Sequence, residues 1–156
     1  MSLTVSCIAY SRAHFFDGHG MIHSVHINNQ QANYSNQYIN TFRYNIERLY
    51  NRNIFFQFGE FSGLLGLLKL LVVNPLILNY FKKTDPEVGQ ANTAIIVYNN
   101  KIYAAHEASY LYELQWNSHN NSFKSIGYDK FNNKLTTPMN AHGKVCVVCS
   151  IRIMYV

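Results

Sequence analysis

The chain has 156 residues, of which 48% are hydrophobic, 15% aromatic and only 13% charged, and its net charge is +5. That length suits one domain of ordinary size with enough apolar material for a core, and a Tyr- and Phe-rich composition favours strands over helices. The basic residues are scattered, with Lys82 and Lys83 the only adjacent pair, so no basic run marks a nucleic-acid face; charge alone would suit an anionic membrane as well and establishes neither partner.

Three cysteines, Cys7, Cys146 and Cys149, sit near the ends, an odd count without the spacing of a disulfide framework. The opening Met1 to Tyr10 is apolar but lacks a basic leader and a clear small-residue cleavage site, so intracellular, cytoplasmic residence is the expectation. From Met21 to Ile27, Met21, His23, Val25 and Ile27 fall on one face of a strand. Asn28 to Gln31 is polar, and Tyr34 to Thr41 alternates again, which predicts a hairpin with a four-residue loop. Ser62 to Phe81 (SGLLGLLKLLVVNPLILNYF) places Leu on every side of a helical wheel, with Ser62 able to cap it and Pro75 expected to kink or end it. The run Leu64 to Val73 is too short to span a bilayer, and Lys69, Asn74, Pro75 and Asn79 weaken a spanning helix further. Two readings remain: a helix buried against a sheet, or a monotopic patch lying in one leaflet.

Thr93 to Tyr98 and Lys101 to Glu107 form a clearer hairpin about Asn99-Asn100, since Asn tolerates the positive φ of a type I′ turn. Tyr110 to Trp116 and Ser122 to Tyr128 make a third pair about Asn117 to Asn121. The fold class is therefore mainly β, a sandwich, barrel or propeller, with one or two apolar helices inserted between hairpins.

Of seven histidines (His14, His19, His23, His26, His106, His119 and His142), the run His19-Gly-Met-Ile-His23-Ser-Val-His26 looks metal-like. Gly18 and Gly20 break any helix there, and on a strand His23 and His26 point to opposite faces. They are expected to be exposed strand polars. Cys146-Val-Val-Cys149 has no second cysteine pair or nearby histidine pair, so a buried strand or a non-native tail is expected rather than a zinc or redox site. There is no Gly-rich phosphate loop and no G-x-S-x-G elbow.

Five segments together carry a resemblance. They are His14-Phe-Phe-Asp-Gly-His-Gly-Met-Ile-His23; Tyr34-Ser-Asn-Gln-Tyr with Thr41 and Arg43; Gly59-Glu-Phe-Ser-Gly63 running into the Leu-rich stretch; Ala91-Asn-Thr-Ala94, then a strand and Glu107; and Tyr128-Asp-Lys-Phe with Leu135-Thr-Thr-Pro-Met-Asn-Ala-His142-Gly-Lys-Val145. In this order they resemble the carotenoid cleavage oxygenases over residues 13 to 145, with Phe58-Gly-Glu-Phe-Ser-Gly63 and Ala91-Asn-Thr-Ala94 closest to the plant-type branch. The resemblance implies a seven-bladed β-propeller with Fe(II) on its axis, held by four histidines. It implies cleavage by O₂ of a double bond in carotenoids or apocarotenoids to two carbonyl products. His142 matches the first iron ligand. Glu107 matches a carboxylate that orients another of the ligating histidines. Leu64 to Leu78 match an apolar patch docking on membranes, which favours the monotopic reading.

The chain departs from the family in His19, where Asp is usual, and in Gly143, where Pro is usual. Residues 1–12 and 146–156 do not match, so both ends read as edges of a truncated product flanking a partial propeller domain at 13–145. The expectation is a dioxygenase fragment, inactive alone, marginally stable and prone to aggregate. The alternatives are a non-catalytic membrane-associated module and a product without activity.

Overall fold

The computed structural model describes residues 14–145 and 153–154. Cys7, Cys146 and Cys149, and the readings placed on them and on residues 1–12, lie outside the described residues. The architecture is mainly β. A two-stranded hairpin, β1 (Met21–Asn28) with β2 (Gln31–Tyr38), is followed by helices α1 (Phe42–Tyr50) and α2 (Gly63–Phe81). A four-stranded antiparallel meander comes next: β3 (Ala94–Tyr98), β4 (Lys101–Ala105), β5 (Leu111–Asn117) and β6 (Ser122–Asp129), in that spatial order. A short ladder, β7 (Lys144–Val145) with β8 (Ile153–Met154), closes the described residues.

The second and third hairpins form as expected, with Asn99 and Asn100 at φ 49° and 58°. The first hairpin corrects the expectation. Its loop has two residues, not four, because Asn29 and Gln30 take φ 47° and 64° and let Asn28 pair with Gln31. Counting polar residues overstated the turn. The second strand also ends at Tyr38, before Thr41. Thr41 is the N-cap of α1, accepting a hydrogen bond from the Tyr44 N–H at 3.1 Å. Helix α1 was missed although Phe42, Ile46, Leu49 and Tyr50 recur at helical spacing: the stripe covers barely two turns, and the residues buried deepest are Arg43, Tyr44 and Glu47.

Helix α2 continues through Pro75 rather than ending there. A proline lacks the N–H for the next bond, and its ring crowds the carbonyl four residues back. The helix widens to a π turn over Lys69–Val73, just before Pro75, which moves that carbonyl aside.

Three apolar clusters hold the body. Ile22, Ile39, Ala104, Tyr112 and Leu114 join the hairpin to one face of the meander. Ile96, Tyr103, Ala105, Leu111, Met139 and Ala141 cover its other face. Phe55, Leu78 and Val88 seat the helices. Hairpin and meander are also stitched through Gln37, whose side-chain amide both donates to the Phe123 carbonyl and accepts from the Phe123 N–H. Gly20 is required where the hairpin begins: a Cβ there would lie 2.1 Å from the Ala91 carbonyl oxygen.

Candidate functional site

His142 and Glu107 are brought together by one isolated bridge. Ser109 and Met139 pair antiparallel, with the Met139 N–H on the Ser109 carbonyl at 2.9 Å. The chain turns on either side of this bridge, at Glu107–Ala108 and at Ala141–His142. Met139 and Ala141 are buried at 3% and 1% exposure, while His142, in the turn that follows, is exposed. Its N–H donates to Asn140 Oδ1 at 2.6 Å, a side-chain turn that holds the loop. Glu107 lies in a turn closed by the Ser109 N–H on the His106 carbonyl, with Ala108 at φ 61°. Ala in this left-handed region costs about 1–2 kcal/mol, so the turn is held by its surroundings. The result is a contact of 3.4 Å between His142 Nε2 and Glu107 Oε1, with the two side chains 73% and 46% exposed. The resemblance has Glu107 serve a different histidine; in this fold the imidazole it contacts is that of His142.

Neutral imidazole and carboxylate are suitable donors for ferrous iron. Among the described residues, however, no group of three or more His, Cys, Asp or Glu is arranged to hold a metal. One exposed imidazole beside one carboxylate is an incomplete donor set, so these residues alone do not fit the iron site the resemblance implies. His23 and His26 do not converge. His23 Nδ1 lies 2.6 Å from the Tyr34 hydroxyl on an exposed face, and His26 sits half-buried with its ring 6.0 Å from that of Trp116.

The polar groups that the sequence did not reveal form a buried knot at α1. Glu47 accepts from the Ile54 and Phe55 N–H groups, both at 3.0 Å, and pairs with His19 Nε2 at 3.0 Å and Arg43 Nε at 3.3 Å. Burial alone would raise the Glu47 carboxyl; the His19 hydrogen bond and the Arg43 charge outweigh it and hold it below its ordinary value. Arg43 also donates to the Phe56 carbonyl at 3.1 Å. His19, the departure from the family's Asp, therefore works inside the fold. His106 is the counterpart on the sheet side. Its Nδ1 is buried without a partner, and burial, aided by the Arg43 charge, pushes its pKa down to about 4.

Other motif residues are also structural. Asp17 accepts from the Phe58 N–H at 2.7 Å and the Gly59 N–H at 2.9 Å, pinning the approach to α2. Asn92 donates to the Phe16 and Gly18 carbonyls. The first, third and fourth motifs are thus tied to one another.

Helix α2 is the largest apolar surface. It has 19 residues, long and apolar enough to cross a membrane by length and composition, yet only 17% of it is buried. This overturns the reading of a helix buried against a sheet. Leu64, Leu65, Leu71, Leu76 and Tyr80 are each more than 60% exposed, and Phe58 and Phe61 extend the patch. One seam faces the body. Gly66 sits where a Cβ would lie 2.4 Å from the Glu60 carbonyl oxygen, Asn74 accepts from the Phe56 N–H and donates to Asp85, and Leu78 enters the third cluster. These contacts run from the first turn to the last, so the helix lies flat along the domain. A contiguous exposed apolar patch on this scale marks an interaction surface.

A sequence profile described as retinal pigment epithelial membrane protein matches residues 4–150. Among curated proteins, the chain is 31% identical over 134 residues to carotenoid 9,10(9′,10′)-cleavage dioxygenase 1 of Arabidopsis thaliana, covering 85% of this chain and 24% of the relative. It is likewise 31% identical over 134 residues to the carotenoid 9,10(9′,10′)-cleavage dioxygenase of Crocus sativus, again 85% of the chain and 24% of the relative. It is 28% identical over 138 residues to a chloroplastic 9-cis-epoxycarotenoid dioxygenase of Oryza sativa subsp. japonica, 84% of the chain and 24% of that protein. The chain thus spans about a quarter of the length of these relatives. It belongs to the retinal pigment epithelial membrane protein family, the family of the carotenoid cleavage dioxygenases.

Proposed function

We propose that this chain contributes His142 to the Fe(II) centre of a dioxygenase that uses O₂ to cleave a double bond of a carotenoid or apocarotenoid. The observation that carries the reading is the Ser109–Met139 bridge, which presents His142 outward with the Glu107 carboxylate 3.4 Å away. A carboxylate beside a ligating imidazole orients the ring and raises its basicity. The meander β3–β6 is the kind of four-stranded sheet from which propeller blades are made. Its β3 edge leaves Ile95 and Val97 51% and 65% exposed, as expected where a neighbouring blade packs. With one imidazole in place, these residues by themselves are inactive, and their open apolar edge makes them aggregation-prone.

Helix α2 docks the protein on a cytoplasmic membrane surface as a monotopic element, where a lipophilic substrate is dissolved. Its flat seating supports lying on the bilayer over spanning it, because the segments before and after the helix pack on the same body.

A chimera tests the catalytic half. This chain replaces the matching quarter of the Arabidopsis relative, and carotenoid turnover is measured. Turnover is expected with His142 and is lost in His142→Ala, whose exposed loop leaves folding intact. Equal turnover in the two contradicts the reading and favours a non-catalytic, membrane-associated module.

A further inference from the structure

We propose that the outer edge of β1 is a self-association surface, where a second copy of this chain adds its own β1, antiparallel and about a two-fold axis. The β1–β2 loop has two residues at positive φ, Asn29 and Gln30, and Asn28 pairs with Gln31. Such a turn makes its closing pair a hydrogen-bonded one, and hydrogen-bonded pairs recur at every second residue. Residues 28, 26, 24 and 22 therefore turn their N–H and C=O groups toward β2. The Gly20 carbonyl, which accepts from the Ile39 N–H at 2.9 Å, continues that parity. Met21, His23, Val25 and Ile27 turn theirs the other way, and among the described residues no strand or loop receives them. The far side of the hairpin is closed. There β2 lies along β6: Ser35 donates to the Asn121 carbonyl at 3.1 Å, Gln37 holds Phe123, and the Asn40 N–H donates to the Ser125 hydroxyl at 3.0 Å.

A second copy of the chain fits this edge. Edge strands are commonly blunted with lysine, proline or a bulge. β1 has none of these: its pairing with β2 runs in unbroken register, and no Asp, Glu, Lys or Arg stands between Asp17 and Arg43. The net charge of +5 makes two copies repel, and this uncharged hairpin is where they approach without charges meeting. The side chains along the edge are apolar and open. Val25 and Ile27 are 62% and 74% exposed, and Tyr34, opposite Val25 in the hairpin, is 62% exposed. The edge also complements itself. With the axis at Ser24, Met21 faces Ile27 of the second copy, His23 faces Val25, and all four outward residues meet outward residues. Apolar pairs of this kind add side-chain contact to the ladder. Because both copies use the same edge, the pairing closes as a four-stranded sheet, β2–β1–β1–β2, and does not propagate. The other open edge, β3, is shorter and by the same parity turns only Ile95 and Val97 outward.

Sedimentation equilibrium of the 156-residue chain, in a mild detergent that covers α2, tests this. A monomer–dimer equilibrium is expected. Val25→Lys brings like charges to the axis and is expected to raise the dimer Kd about tenfold. Val97→Lys on β3 and Leu64→Ser on α2 are expected to leave it unchanged. Register is read separately, in a chain whose Cys7, Cys146 and Cys149 are replaced by serine. Ser24→Cys then sets two thiols opposite each other across the axis, in a non-hydrogen-bonded pair whose Cα separation of about 4.5 Å suits a disulfide. Oxidation is expected to give a covalent dimer, and Ala32→Cys on β2 is expected to give none. A monomer at every concentration overturns the proposal. So does a dimer that survives Val25→Lys, or one lost instead in Val97→Lys or Leu64→Ser, which would move the contact to β3 or α2. If near-ultraviolet circular dichroism shows that Val25→Lys disturbs the fold, the cross-link decides: its absence in Ser24→Cys overturns the two-fold pairing.

Discussion

The α1 knot and helix α2 are separated by a dozen residues and follow opposite rules. The knot buries Arg43 and Glu47 to 7% and 5% exposure and satisfies them through backbone groups of residues 54–56. Helix α2 leaves leucines in solvent and buries an asparagine, Asn74. In the first region polar groups do the holding; in the second apolar groups are left to hold something else. The inversion shows which part is built for the fold and which for contact. A buried ion pair is dispensable only if both members go together, so removing one strands the other. An exposed leucine has little to lose in the folded state.

Four changes sharpen that contrast, from the largest expected effect to the smallest. Glu47→Ala leaves the buried Arg43 guanidinium unpaired and two N–H groups without an acceptor. It is expected to cost about 3–5 kcal/mol, enough to abolish a cooperative urea transition in a marginal domain; an unchanged midpoint would show the knot to be incidental. Acid comes next. His106 binds its proton near pH 6.5 when unfolded and only near pH 4 when folded, so its contribution to stability is present above that window and lost as pH falls through it. Discounted for partial exposure, the loss is about 2 kcal/mol. His106→Phe is expected to flatten the urea midpoint between these pH values, and a profile that keeps its slope assigns the effect to another group. Glu47, depressed from 4.5, adds a further loss only below that pH.

Gly20→Ala drives a methyl group into the Ala91 carbonyl and is expected to cost about 1–3 kcal/mol, read as a lowered melting temperature. Replacing both Leu64 and Leu65 with Ser is expected to change stability by less than about 0.5 kcal/mol while abolishing vesicle flotation. A large stability loss there would mean that α2 serves the core after all.

What could be read from the sequence divides along the same line. The meander strands were legible because the Asn99-Asn100 turn divides short runs rich in β-branched and aromatic residues, whose two faces feed two clusters, Tyr103 and Ala105 in one and Ala104 and Tyr112 in the other, and α2 because its leucines are dense. Helix α1 was not, because its apolar stripe of Phe42, Ile46, Leu49 and Tyr50 is only two turns long and its deepest seating is through Arg43 and Glu47. The first hairpin loop was overestimated because Asn28 and Gln31, polar by composition, are ladder residues by position. His142 was reached by resemblance alone. Its contact with Glu107 depends on residues 109 and 139 pairing across thirty positions, and no local periodicity encodes that distance.

The central claim is that His142 is an iron donor whose remaining partners lie outside the residues described. The most direct measurement is the iron content of the purified chimera, taken with His142 and with His142→Ala. The account predicts one iron per chain falling to background in the variant, with the melting temperature of the chimera otherwise retained. Iron that stays bound in His142→Ala would contradict it.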